Sequence, residues 1–203
     1  MPKLYVLRHG QTVYNLQKRV QGHCDSPLTE LGVEQARAAG RWIASQGIRF
    51  DRMCSSPLGR TLATLDVVRE ELTAAGMTDL PPVEPEDGLI ERCYGEFEGG
   101  LQSDVPADLW DPGEVLVPYG GEGSVALRER IVATMTDIMG APGAETVLAV
   151  CHGSATLQFK LAWEPLARCP QDVHLGNCCV LVYDYDPEAR TFACERIVNQ
   201  DVG

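Results

Sequence analysis

The stretch KLYVLRHGQTVYN, Lys3 to Asn15, opens with four apolar residues, Leu4, Tyr5, Val6 and Leu7. A short apolar run of this kind suits a parallel strand covered on both faces. It closes on Arg8-His9-Gly10, which puts a cation and an imidazole at the strand's C-terminal end, where open α/β sheets form their ligand crevices. Gly10 permits a tight exit and the close approach of a ligand to the backbone. Alone, an Arg-His-Gly triplet is equally the mark of a surface histidine at a strand end.

A second stretch repeats the design. Thr146 to Val150 is another apolar run, and it ends in Cys151-His152-Gly153. Two strands that each deliver His-Gly to one sheet edge can bring two imidazoles into one crevice. Between them, Thr29 reads as an N-cap, and Leu31, Ala36, Ala39 and Ile43 recur at helical spacing as far as Gly47. Phe50–Cys54 reads as a strand, with Pro57 suited to the first turn of a helix carrying Leu58, Leu62, Leu65, Val68 and Leu72. A third helix spans Val125–Met139 and a fourth Ser154–Trp163. Cys179–Tyr185 and Thr191–Val198 form a hairpin at the sheet edge, which leaves a strand on which a second copy can pair as a homodimer. Gly10 to Pro27 reads as a polar loop. The alternation predicts an α/β fold, a three-layer α/β/α sandwich around a mostly parallel sheet. One domain over residues 1–203 is expected, with an inserted lid at about 80–123, where prolines and glycines break any long element. The lid's apolar residues, among them Leu101, Val105, Leu116 and Tyr119, predict a packed rather than a disordered segment.

The chain has 203 residues, 44% hydrophobic and 23% charged, with a formal net charge of −12. That composition fits a globular protein, and the negative field disfavours nucleic acid and anionic membrane as partners. No apolar run reaches membrane-spanning length, and the N-terminus shows no secretory signal, so a cytoplasmic location is expected. The 8 cysteines form no Cys-x-x-Cys pair and read as buried free thiols. His23 and His174 read as ordinary polar residues.

Two histidines with arginines at one sheet edge suit phosphoryl chemistry better than a metal. Arg8 beside His9 disfavours a dication, and no Asp/Glu pair accompanies His152 at suitable spacing. Arginine offers permanently charged, bidentate donors to phosphate oxygens. A neutral imidazole can attack phosphorus and hold the phosphoryl group covalently, and a neighbouring guanidinium favours that neutral form.

On five blocks, in order, the chain resembles the histidine phosphatase superfamily, also called the phosphoglycerate mutase-like family. LRHGQTVYN with QGHCDSPLTELGVEQA looks like the opening motif, and SSPLGRTLAT the second. LIERCYGEFEG resembles the acidic motif, GGEGS the loop before the third helix, and VCHG the second histidine block. The resemblance implies that His9 is the nucleophile that becomes phosphohistidine. It implies that Arg8, Arg60 and His152 bind the transferred group, with Asn15 and the backbone at Gly153 as further phosphate contacts. Glu91 is implied as the general acid and then the base, a role worth about 10²–10⁴ in rate. No cofactor or metal is implied.

The family holds both hydrolases and mutases. Glu91-Arg92-Cys93-Tyr94-Gly95 has the mutase spacing, with Cys93 where mutases usually carry histidine. Between Arg92 and Arg128, however, there is no Lys or Arg, while Glu96, Glu98, Asp104, Asp108, Asp111, Glu114 and Glu122 lie there. A bisphosphorylated intermediate needs cations for its second phosphate. The expected activity is therefore hydrolysis of a small phosphorylated metabolite with one phosphate. A cofactor-dependent phosphoglycerate mutase, a phosphohistidine protein phosphatase and a non-catalytic phosphate-docking module are the alternatives. Tyr94, Phe97, Trp110 and Tyr119 serve either a substrate ring or the lid's own core.

Overall fold

Strand pairing sets the architecture. In the computed structural model, which describes residues 1–200 and 202, strand β1 (Lys3–Arg8) lies beside β4 (Thr146–Cys151) in parallel, with Arg8 opposite Cys151. The residues that follow each strand, His9 and His152, therefore leave the sheet side by side. The six-stranded sheet has the order β3-β2-β4-β1-β5-β6, where β2 is Arg52–Ser55, β3 Val83–Pro85, β5 Val180–Asp186 and β6 Thr191–Val198. β1 to β4 are mutually parallel, and β5 and β6 form the antiparallel hairpin at one edge.

Alternation along each strand divides the core in two. Leu4, Val6, Val147 and Ala149 face α4 (Ser124–Gly140) and α5 (Gly153–Trp163). Tyr5, Leu7, Leu148 and Val150 face α2 (Glu30–Ser45) and α3 (Gly59–Ala74). Helices on both faces of one sheet make the three expected layers. α2 starts where Thr29 was expected to cap it, its side chain accepting from the Gly32 N–H.

Three features depart from the sequence reading. The stretch 10–27 contains a four-residue helix, α1 (Val13–Leu16), closed by a capping box in which Thr12 and Asn15 exchange bonds. Pro57 precedes the N-cap of α3, Leu58, and does not enter the first turn. The beginning of the 80–123 segment is also part of the sheet: Val83–Pro85 is the edge strand β3, tied to β2 by an ion pair between Arg52 and Glu84. Beyond it, residues 86–123 cross the sheet's C-terminal end in four 3₁₀ turns. Tyr94, Val105, Leu116, Phe97 and Leu109 pack there with Val20, as a packed segment requires. Leu101 and Tyr119 instead remain exposed. Among the described residues, no helix is long and apolar enough to cross a membrane.

Candidate active site

Gly10 has a different use from the one its position suggests. A Cβ there would strike the backbone carbonyl of Gly32, and one on Gly32 would strike Gln11's carbonyl. The closely approaching partner is thus helix α2, not a ligand. This contact packs α2 against the exit of β1 and fixes where His9 emerges.

His9 is buried, and its N–H donates to the Cys151 carbonyl at 3.0 Å. Its Nδ1 lies 2.7 Å from the Gly10 carbonyl oxygen. A carbonyl only accepts, so the ring proton is on Nδ1 and the lone pair on Nε2. Burial first, then the Arg60 and Arg8 guanidiniums, hold its pKa well below the ordinary histidine value. The preference for the neutral ring thus runs in the direction expected from Arg8, with desolvation as the larger cause.

His9 opens onto a cavity of about 110 Å³ whose wall includes Arg8, Asn15, Arg60, Glu91 and Gly153. Arg8 donates from Nη1 to the Leu175 carbonyl at 2.8 Å, and its guanidinium lies 4.8 Å from the centre of the Trp110 ring. Its Nε is buried without a partner. An unpaired buried donor costs about 1–3 kcal/mol, which an anionic oxygen in the cavity would relieve. Arg60 donates through Nε to His152 Nδ1 at 3.2 Å, and through its terminal nitrogens to the Cys24 and Gly22 carbonyls and to Asp25. These four bonds leave one of the guanidinium's five N–H groups for a ligand. Asn15 Oδ1 accepts from the Thr12 N–H and from Asn177, so its amide donors are left for the cavity.

Glu91 faces the N-terminus of α5. Its carboxylate accepts from the N–H groups of Ser154 and Ala155, each at 3.0 Å, and from Arg92 N–H at 2.9 Å. The helix dipole favours an anion at that place. Gly153 begins the same helix, and a Cβ there would come within 3.0 Å of the Trp110 ring and 3.4 Å of Arg8 Nε. Only glycine leaves the indole where it covers Arg8.

His152 is placed differently from the expectation. Its ring centre is 5.3 Å from that of His9, but it is fully buried behind the cavity wall. Nδ1 accepts from Arg60 and Nε2 lies 2.8 Å from Ser56 Oγ, so both nitrogens are engaged within the protein. In this arrangement it orients Arg60 and does not offer a free donor to the cavity. Burial, then Arg60, His9 and Arg8, keep its pKa well below the ordinary value.

The sequence places Arg19 in the polar loop without a role and gives no sign of Gln21, Gln102 or Ser154 as site residues, yet all four line the cavity. Arg19 stands in the short pairing between residues 18–20 and 99–102, where its Nη1 donates to the Gly99 carbonyl. The aromatic residues divide. Tyr94 and Trp110 line the cavity, whereas Phe97 and Tyr119 pack edge to face with centres 5.0 Å apart.

A family model, histidine phosphatase superfamily (branch 1), matches residues 4–198. The chain belongs to that superfamily. It is 35% identical over 166 residues to a 2,3-bisphosphoglycerate-dependent phosphoglycerate mutase of Methylorubrum populi, covering 76% of each chain. It is 28% identical to a broad-specificity phosphatase of Saccharomyces cerevisiae, over 97% of this chain and 85% of that one. Bacillus stearothermophilus YhfR has the same fold, with a TM-score of 0.79 and 26% identity over 94% of this chain and 93% of that one. The relatives thus include both mutases and phosphatases.

Proposed function

We propose that this superfamily member is a phosphomonoesterase that hydrolyses a small metabolite bearing one phosphate. His9 Nε2 attacks phosphorus, the bond to the ester oxygen breaks, and Glu91 supplies that oxygen's proton. Water then attacks the phosphohistidine, Glu91 takes its proton, and the P–N bond breaks to release inorganic phosphate. Arg8 Nε, the free N–H of Arg60 and the Asn15 amide hold the equatorial oxygens, so fixed cations meet the charge as it develops. His152 acts behind them by orienting Arg60.

The distribution of cations carries the choice of hydrolysis over transfer. Arg8 and Arg60 serve the phosphoryl end, and among the described residues Arg19 is the one other Lys or Arg on the cavity wall. Residues 93–127, of which Tyr94, Gln102, Leu109 and Trp110 line the cavity, contain none. Arg92 is fully buried and donates to the Glu122 carbonyl and the Ser124 hydroxyl. A second phosphate therefore has a single candidate cation to meet its charge. The identity to phosphoglycerate mutases favours phosphoryl transfer as the second reading.

Assays with p-nitrophenyl phosphate, and separately with 3-phosphoglycerate plus its bisphosphate primer, decide between them. Hydrolysis of the ester, with little isomerisation of phosphoglycerate, is the expected result. Rapid isomerisation with negligible ester hydrolysis would establish the mutase.

A further inference from the structure

The acidic motif and the opening motif meet at a second cluster that the phosphoryl chemistry does not use. His23, Cys93 and Glu98 bring an imidazole nitrogen, a sulfur and a carboxylate oxygen within 4.8 Å of one another. They come from two segments some seventy residues apart in sequence. We propose that these three side chains form a zinc site, with a fourth position filled by water. The proposal stands independently of whether the cavity hydrolyses or transfers a phosphoryl group.

Mixed N, S and O donors suit Zn²⁺. Bonds of about 2.0–2.3 Å in a tetrahedron put ligand atoms roughly 3.5 Å apart, so the cluster needs only a modest contraction. The cluster is also braced. The Glu98 carboxylate accepts from the N–H groups of His23 and Tyr94 at Oε1 and from Cys24 at Oε2, which leaves the second lone pair of Oε2 for an ion. His23 Nε2 lies 3.1 Å from the Glu91 carbonyl, which holds the ring proton there and leaves the lone pair on Nδ1. His23 is exposed, which supplies an entry path, and the net charge of −12 concentrates dications around the protein. On binding, Cys93 releases its thiol proton to solvent and the thiolate sulfur bonds the metal.

An ion here would bolt the loop bearing Gly22 and Cys24 to the segment bearing Glu91. The first supplies the carbonyls that hold Arg60; the second supplies the carboxylate at α5. Zinc would thus stiffen two walls of the cavity without entering it.

The test uses the chelator-stripped full chain and Zn²⁺, with affinity read by competition against a chromophoric chelator. Co²⁺ serves as a spectroscopic stand-in. The variants are Cys93→Ser and His23→Gln; Glu98 is kept because it braces three backbone N–H groups. Glu86→Gln is the control, since Cys54, Glu84 and Glu86 form another donor group. Circular dichroism verifies that each variant is folded. The expected result is one equivalent of zinc per chain, with affinity lowered at least about a hundredfold in both ligand variants and unchanged in the control, since even supporting residues are worth 10–100-fold. The thiolate-to-cobalt absorption should vanish in Cys93→Ser, and hydrogen exchange over 20–25 and 91–98 should slow with zinc. Absence of stoichiometric binding, full affinity in either ligand variant, or loss in Glu86→Gln would overturn the site.

Discussion

His9 and Glu91 divide the proposed chemistry so that each can be removed separately. Replacing His9 with alanine takes away the only proposed nucleophile, and phosphoenzyme and turnover should both vanish. Glu91→Gln keeps the side chain's shape but cannot give or take the proton. Its cost should be about 10²–10⁴-fold on an alkyl phosphate, whose leaving oxygen needs protonation. Phosphorylation of His9 by p-nitrophenyl phosphate should be affected far less, because nitrophenolate leaves unaided; burst kinetics would resolve that first step. Equal losses in that first step on both substrates would instead make Glu91 a brace for α5. Arg19 belongs to the same scale. Arg19→Ala should lower the ratio of kcat/KM for 3-phosphoglycerate over p-nitrophenyl phosphate by about tenfold, the worth of one charge-assisted bond of roughly 1.5 kcal/mol. Arg8, His9, Asn15, Arg60, Glu91 and Gly153 were legible because motifs carry them. Arg19 and the engagement of His152 were not, because a loop without periodicity conceals its tertiary partners, and tautomers depend on neighbours that only folding supplies.

Two junctions between elements decide whether these groups meet. The contact between Gly10 and Gly32 lets α2 press on the exit of β1, and Gly32→Ala should force the backbones apart. A cost of about 1–3 kcal/mol is expected for such overpacking, read as a lower midpoint in urea. The other junction is the latch on the 86–123 segment. Asp111 Oδ1 accepts from the Ser124 hydroxyl on α4 and the Gln158 amide on α5. Asp111→Ala should free the neighbouring Trp110, raising KM and speeding hydrogen exchange over residues 105–120. Strands and helices with strong periodicity were readable from their apolar spacing. β3 was not, because three residues that follow Pro81 and Pro82 and end in Pro85 look like a breaker; an edge strand tolerates proline where a central one does not. α1 was hidden because a single turn is too short to show a period, although Thr12 and Asn15 carry its capping signature.

For the molecule as a whole, the buried neutral histidines predict an acid limit to stability. His9 and His152 both have folded-state pKa values below the unfolded value of about 6.5. Below that pH the unfolded chain takes up protons that the native state refuses, so stability present above about pH 6.5 is lost as pH falls. Urea midpoints measured through that range should decline, and His9→Gln should lessen the slope. The three-layer architecture was legible because the Arg8–Cys151 register only makes explicit what two matching strand ends imply. The cavity's charge balance required the fold, since Arg92 is near in sequence yet turned away, and Arg19 is remote yet present.

The central claim is that His9 carries the phosphoryl group and delivers it to water. Rapid quench of the enzyme with a radiolabelled phosphomonoester tests both halves at once. Label should appear transiently on His9, acid-labile and mapped by peptide mass, and then pass entirely to inorganic phosphate, even with phosphoglycerate present. Label that never reaches His9, or that leaves it for phosphoglycerate, would contradict the account.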